Sequence, residues 1–351
     1  MKEDWFLQAC SDIDTDSLDQ AKHHQQQLTK PPGALGAFED IAIRLAGMQC
    51  RKLPEIEDVQ ITVFAADHGI ADQGVSAFPQ AVTAEMIKNF ARGGAAINVL
   101  ARETDSTLNV VNMGTAFPIG ELSNVIDKSI ASGTNDFSKK PAMTREQMLD
   151  ALYAGAEMAD DANHHCKDLF IAGEMGIANT SSATALACCL LDKKAEEIAG
   201  PGTGLDKKGV KKKAKVINDA LSFHKVKNSD ALTVLQTFGG FEIAAICGAY
   251  IRCAQLGIPV LVDGFISTAA ALLAKHIQPE SSSWFFFSHA SAEPGHKLLM
   301  QSFDEQPLLD LGMRLGEGSG AAIAIPLIKN ACALHAQMAT FADAGVSEKN
   351  S

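Results

Sequence analysis

A doubly wound α/β fold on a parallel sheet is predicted by three features of the sequence. Short apolar runs alternate with longer helical patterns along most of the chain. Hydrophobic residues make up 46% of the 351 positions and aromatics only 6%, with Ala and Gly abundant, which suits close helix–sheet packing better than an all-β sandwich. The polar clusters Asp67-His68-Gly69, Glu174, Asp263-Gly264 and Ser288-His289 fall where the apolar runs end, which in such sheets is the ligand-binding edge.

The elements follow in order. Residues 1–57 read as polar and helical, with Leu35, Phe38, Ile41, Leu45 and Met48 at helical spacing after the break at Lys30-Pro31-Pro32-Gly33, a candidate hinge. Residues 58–66 read as a buried strand. A helix is expected from about Thr83 to Arg102, weakened at Gly93-Gly94. Leu108–Met113 is a second strand. Thr144 opens a long helix with the capping-box pattern Thr144-x-x-Gln147. Leu169–Ala172 is a third strand, followed by a helix over 181–191 in which Thr180 and Ser181 read as caps. A basic helical run spans Lys207–Lys215. Gly240–Leu256 is helical, Pro259–Val262 a strand, Ser267–His276 a helix and Trp284–Ser288 a strand. A last helix follows Gly316–Gly320 and runs to about Met338. The tail Glu348–Ser351 is expected to fray.

Charge and cysteine usage narrow the function. A net charge of −12 disfavours nucleic acid and anionic membrane surfaces as partners. Eight cysteines occur with no Cys-x-x-Cys spacing, and most lie in apolar helical patterns, which suits reduced buried thiols. The start Met1–Trp5 carries acids where a secretory leader needs a basic flank, and no uncharged run reaches membrane-spanning length, so a cytoplasmic protein is expected.

Several motifs could carry chemistry. In Gly316-Glu317-Gly318-Ser319-Gly320 the glycines permit close backbone approach, and Leu315 and Ala321-Ala322-Ile323 would desolvate Glu317 and raise its pKa toward that of a useful base. A glutamate at a helix start between turn glycines is an equal alternative from pattern alone. Gly200-Pro201-Gly202-Thr203-Gly204 is either a phosphate loop or a plain turn; it lacks the Gly-Lys-Ser/Thr ending of a P-loop. Six lysines between 207 and 215 form the basic concentration, most of them a solvated face, with one able to face the loops as a phosphate counter-charge. Glu174, in Gly173-Glu174-Met175-Gly176, could stabilise a cationic sugar centre. Asp67-His68-Gly69 suggests a metal or base pair, but the histidines show no ligand spacing, which favours a structural His68. A Rossmann dehydrogenase would need Gly-x-Gly-x-x-Gly after the first strand, where Asp67-His68-Gly69 stands instead.

Taken as an ordered set, the motifs Lys30-Pro31-Pro32-Gly33-Ala34-Leu35-Gly36, Ala66-Asp67-His68-Gly69, Gly74-Val75-Ser76-Ala77-Phe78-Pro79-Gln80, Gly173-Glu174-Met175-Gly176, Gln236-Thr237-Phe238-Gly239-Gly240, Val262-Asp263-Gly264-Phe265, Ser288-His289-Ala290-Ser291 and Leu315–Gly320 resemble the nicotinate-nucleotide–dimethylbenzimidazole phosphoribosyltransferase family over residues 28–345. The resemblance implies a Rossmann-like parallel sheet flanked by helices over residues 58–310. It implies a smaller helical domain from both chain ends, 1–57 plus 311–351, which carries the glutamate loop, and a homodimer. It implies Glu317 as general base and Glu174 with Gly176 near the ribose and phosphate. Gly202, Thr203 and Lys213 map to the phosphate, while Asp263, Gly264 and Ser291 line the same cleft, and Leu315 opens the motif of the base. Phe78 and Gln80 map to the acceptor pocket. The family shows Tyr or Phe at the aromatic position, and Phe78 offers stacking without a phenol. The implied substrates are nicotinate mononucleotide and a benzimidazole, with no cofactor and no metal. Two rivals stand beside this expectation: the same donor with water or another aglycone as acceptor, and a non-catalytic nucleotide sensor, which would lack the base at position 317.

Overall fold

A computed structural model describes residues 4–226 and 230–347. The chain start Met1–Glu3 and the tail expected to fray lie outside the described residues. Two helices, α1 (Thr15–Gln27) and α2 (Ala37–Met48), precede strand β1 (Val59–Ala66). Then come α3 (Ala81–Ala91), α4 (Ala96–Glu103), β2 (Thr107–Gly114), β3 (Ile126–Asp127), α5 (Arg145–His164) and β4 (Leu169–Met175). Helices α6 (Asn179–Leu191), α7 (Ala195–Ile198), α8 (Lys207–His224), α9 (Ala231–Phe238) and α10 (Phe241–Leu256) follow, then β5 (Val260–Val262), α11 (Phe265–Ile277) and β6 (Phe285–Phe287). The chain closes with α12 (Pro294–Gln301), α13 (Ser319–Gln337) and α14 (Phe341–Ala344).

All the strand pairings are parallel, in the order β3-β2-β1-β4-β5-β6. This is the Rossmann-like order, in which the winding reverses between β1 and β4 and opens a crevice at their carboxyl ends. Every residue of β1 is buried, as is β4 up to Met175. Strands covered on both faces need continuous rather than alternating apolar residues, which is why these runs stand out in the sequence.

Helix α10 is almost wholly buried, packing on α5 and α11. Close approach to α5 rests on Gly155: a Cβ there would collide with the carbonyl of Ala245. Helix α5 starts where the capping box places it, with Gln147 N–H donating to Thr144 Oγ1 at 3.1 Å and Thr144 N–H to Gln147 Oε1 at 3.0 Å. Helix α13 returns to pack on α2 and α4, so the C-terminal segment joins the N-terminal helices.

Two expectations are corrected, and one strand was not expected. The single helix over 83–102 is two, because Gly93 takes φ 78° and breaks the helix between α3 and α4. Thr180 and Ser181 do not cap α6, which begins at Asn179 with Ala178 at its N-cap and no side-chain cap, so both lie inside the first turn. Strand β3, two residues long on the sheet edge, carries no apolar run to announce it.

Candidate active site

The carboxyl ends of β4, β5 and β6 and the loop before α13 converge on a cleft, about 760 Å³ when its open mouth is included. Of the residues singled out in the sequence, Glu174, Gly176, Gly202, Thr203, Asp263, Gly264, Ser291, Leu315 and Glu317 line it.

Strand β4 delivers Glu174, which is buried. Its Oε2 accepts from the Asn179 amide at the start of α6. Its backbone carbonyl accepts Glu317 N–H at 3.1 Å, so strand end and glutamate loop are zipped together. Gly316 has no room for a side chain, because a Cβ would meet Glu174 Oε1. Strand β5 delivers Asp263, whose Oδ1 accepts Ala321 N–H at 2.9 Å in the first turn of α13. A carboxylate is favoured there by the free amides and the helix dipole. Burial still raises the Asp263 carboxyl above its usual range, opposed by neighbouring His289 and the Ala321 amide.

Glu317 takes φ 68°, a left-handed conformation rare for a residue with a side chain. Such strain persists where the surroundings over-determine it, commonly at functional sites. The side chain is buried, and its Oε2 accepts Ile97 N–H at 3.3 Å. Ile97 lies in the first turn of α4, whose N-cap residue Ala95 has no side-chain oxygen to offer. Burial raises the Glu317 carboxyl, the Ile97 amide opposes it, and Asp263 adds to the rise. Desolvation of Glu317 is therefore present, although Leu315, one of the flanking residues expected to supply it, is 48% exposed.

Glu174 is shifted furthest. Burial pushes its carboxyl up to about 8, with Glu242, Asp263 and Glu317 adding repulsion and Asn179 opposing. Held there, it is a carboxylic acid at neutral pH.

The other end of the cleft is built from α6 and the 200–204 loop, and Lys213 of α8 stands behind it, bonded to the lining Thr180 and not itself among the lining residues. Lys213 is fully buried, whereas Lys207, Lys208, Lys211, Lys212 and Lys215 are exposed. Its Nζ donates to Thr180 Oγ1 at 2.7 Å and to the Gly200 carbonyl at 3.3 Å. Burial pulls its ammonium down to about 8, with Glu293 opposing. Ser291 N–H donates to His296 Nδ1 at 3.2 Å, and burial beside His289 pulls His296 down to about 4, so that ring is neutral at ordinary pH.

Phe78 and Gln80 are not among the lining residues. Phe78 is 49% exposed on the turn after β1, and Gln80 spends its amide on the His68 carbonyl at 2.9 Å. His68 has the structural role expected, between Ser182 Oγ at 2.9 Å and Glu242 Oε1 at 2.6 Å. Sequence reasoning passed over Asn179, Arg314 and Glu293, which also line the cleft. Glu293 had one available signal, its place five residues beyond a strand end. Among the described residues no cluster of His, Cys, Asp and Glu could hold a metal ion.

A family model described as Phosphoribosyltransferase matches residues 10–346, so the class of this α/β protein is an enzyme of phosphoribosyl transfer. A nicotinate-nucleotide–dimethylbenzimidazole phosphoribosyltransferase from Pseudomonas putida is 51% identical over 349 residues, covering 99% of each chain. One from Pseudomonas aeruginosa is equally similar, with the same coverage. The crystal structure of the Thermus thermophilus enzyme of that name superposes with a TM-score of 0.91 at 39% identity, over 96% of this chain and 100% of that one. The chain belongs to the nicotinate-nucleotide–dimethylbenzimidazole phosphoribosyltransferase family.

Proposed function

We propose that the cleft transfers the 5-phosphoribosyl group of nicotinate mononucleotide to 5,6-dimethylbenzimidazole, giving α-ribazole 5′-phosphate and nicotinate for the nucleotide loop of cobalamin. The observation that carries this reading is one cleft with two functional ends: Glu317 and Glu174 at one, and Gly202, Thr203 and Thr180 at the other, with Lys213 behind them on the Thr180 hydroxyl.

The donor's pyridinium leaves as a neutral pyridine, taking the glycosidic electron pair, so no general acid is required. The acceptor attacks C1′ through its unprotonated nitrogen. Its second nitrogen carries the proton that must go, and the Glu317 carboxylate takes it, leaving a neutral product. Attack from the opposite face converts the β linkage to α. The ionised form of Glu174 stabilises positive charge on the sugar, and Asp263 holds α13 so that Glu317 faces the cleft. The 5′-phosphate is read by Lys213 and the loop amides. Phe78 and Gln80, next to the central strand β1, are assigned to the acceptor's ring.

We further propose that residues 58–310 and the two terminal segments act as separate domains, and that the enzyme works as a cytoplasmic homodimer without a cofactor. No described helix is long and apolar enough to cross a membrane.

The test is incubation of the protein with nicotinate mononucleotide and 5,6-dimethylbenzimidazole, following products by chromatography and mass. The α-linked ribotide with released nicotinate is expected; nicotinate without ribotide would replace transfer by hydrolysis. For the phosphate end, Lys213→Ala is expected to raise the donor KM by about tenfold or more, the scale of a lost charge-assisted contact. An unchanged donor KM would remove that assignment.

A further inference from the structure

Glu293 has no part in the chemistry above, yet it lines the phosphate end of the cleft. It directly precedes α12 and is only 7% exposed. Its Oε1 accepts Gly202 N–H at 2.8 Å. Its Oε2 is buried with no hydrogen-bond partner among the described residues. A buried carboxylate oxygen left in this way is costly unless a nearby charge compensates.

Lys213 is that charge. Gly200 lies between the two groups, with Lys213 Nζ on its carbonyl and Glu293 Oε2 against the side where a Cβ would stand. Gly202 N–H and Lys213 are donors of the kind that hold a phosphate, and a carboxylate makes the same demands on them. One of these donors, Gly202 N–H, is already taken by a negative charge belonging to the protein. An incoming phosphate must compete for Gly202 N–H and meets like charge beside Lys213.

We infer that Glu293 is a built-in anion occupying part of the phosphate subsite of the empty enzyme, displaced by the donor's 5′-phosphate and thereby setting donor affinity. This rests on the reading that the Lys213 end takes phosphate. While the cleft is empty, Glu293 keeps the buried lysine compensated. When donor binds, phosphate takes over that role, and Glu293 gives up Gly202.

A residue that only braced the 200–204 loop would act in the opposite direction, because its loss would loosen the loop and weaken donor binding. The two roles are therefore separated by sign. Glu293→Gln keeps an oxygen for Gly202 N–H and removes the charge. Nicotinate mononucleotide is expected to bind this variant about fivefold or more tightly, since a neutral acceptor yields the amide more readily than a charged one. Donor KM should fall in step with the dissociation constant, the pattern of a change in donor binding. Nicotinate riboside, which lacks the phosphate, should bind wild type and variant alike.

Calorimetry on the full chain with both ligands is the experiment. Equal or weaker mononucleotide binding by the variant overturns the inference, as does an equal gain for the riboside. If wild type binds the riboside as well as the mononucleotide, the phosphate assignment itself falls, and this inference with it. Should Glu293→Gln not give folded protein, Glu293→Ala carries the same expectation, because it removes the same charge and leaves Gly202 N–H open to the phosphate.

Discussion

Glu317→Gln is expected to lower kcat for ribotide formation by about 10²–10⁴-fold, the usual worth of a positioned base. The substitution isolates the proton transfer. Gln has the same reach, and its oxygen can still accept Ile97 N–H, so the start of α4 keeps its partner. The strained backbone at φ 68° is unchanged, and Asp263 still latches α13 through Ala321. Donor KM should move little, because the contacts to phosphate lie at the far end of the cleft. An acceptor without a proton to lose supplies the internal control. With 1-methylbenzimidazole, attack leaves a cation whatever stands at position 317, so the rate ratio between wild type and variant should collapse toward one. Wild-type turnover by Glu317→Gln with 5,6-dimethylbenzimidazole would remove the base. A loss equally large with the methylated acceptor would show that the variant damages the loop and not the proton transfer.

Legibility in the sequence followed local pattern. Strands β1 and β4 are buried on both faces, so their apolar runs are continuous, and the acids at their ends are displayed at the sheet's ligand edge. Glu317 stood out because glycines flank it, and Gly316 lies where a Cβ would push the Glu174 carboxylate aside. What stayed hidden depends on packing between distant elements. Six lysines on one helical run look alike, and only the seating of α8 against α6 and the 200–204 loop selects Lys213 for burial. Thr180 reads as a cap until the helix is seen to start one residue before it, which leaves its hydroxyl to the lysine. Glu293 belongs to no motif that marks it, and its meaning appears once Gly202 is brought to its carboxylate across the cleft. Strand β3 pairs through two residues only, too few for any periodicity.

Glu174 carries the second large effect, and it shows as pH dependence. Its carboxyl sits at about 8 because it is buried and because Glu242 from α10, Asp263 after β5 and Glu317 before α13 all face it as acids, with the Asn179 amide alone opposing. The empty enzyme therefore holds a proton there at pH 7. A donor with a pyridinium and a sugar that gains positive charge favours the ionised form, so productive binding must expel that proton. The sign follows: the form that works is populated above pH 8 and lost as pH falls. For wild type, kcat/KM for nicotinate mononucleotide, which reports the free enzyme, should drop roughly tenfold per unit as pH falls below about 8, while loss of the Lys213 charge, also held near 8, sets an opposite limb above it. Glu317 also needs to be ionised, and its raised carboxyl adds a second limb of the same sign. Glu174→Gln separates the two. It should lower the maximum by about 10²–10³-fold, the scale of a lost electrostatic contact to the transition state, and abolish the acid limb near pH 8 while leaving the limbs that belong to Glu317 and Lys213. A wild-type profile flat between pH 6 and 9 would mean that the proton on Glu174 does not oppose the donor. Glu174 would then serve through its hydrogen bond with Asn179, holding the start of α6 against the strand end, and not through charge on the sugar.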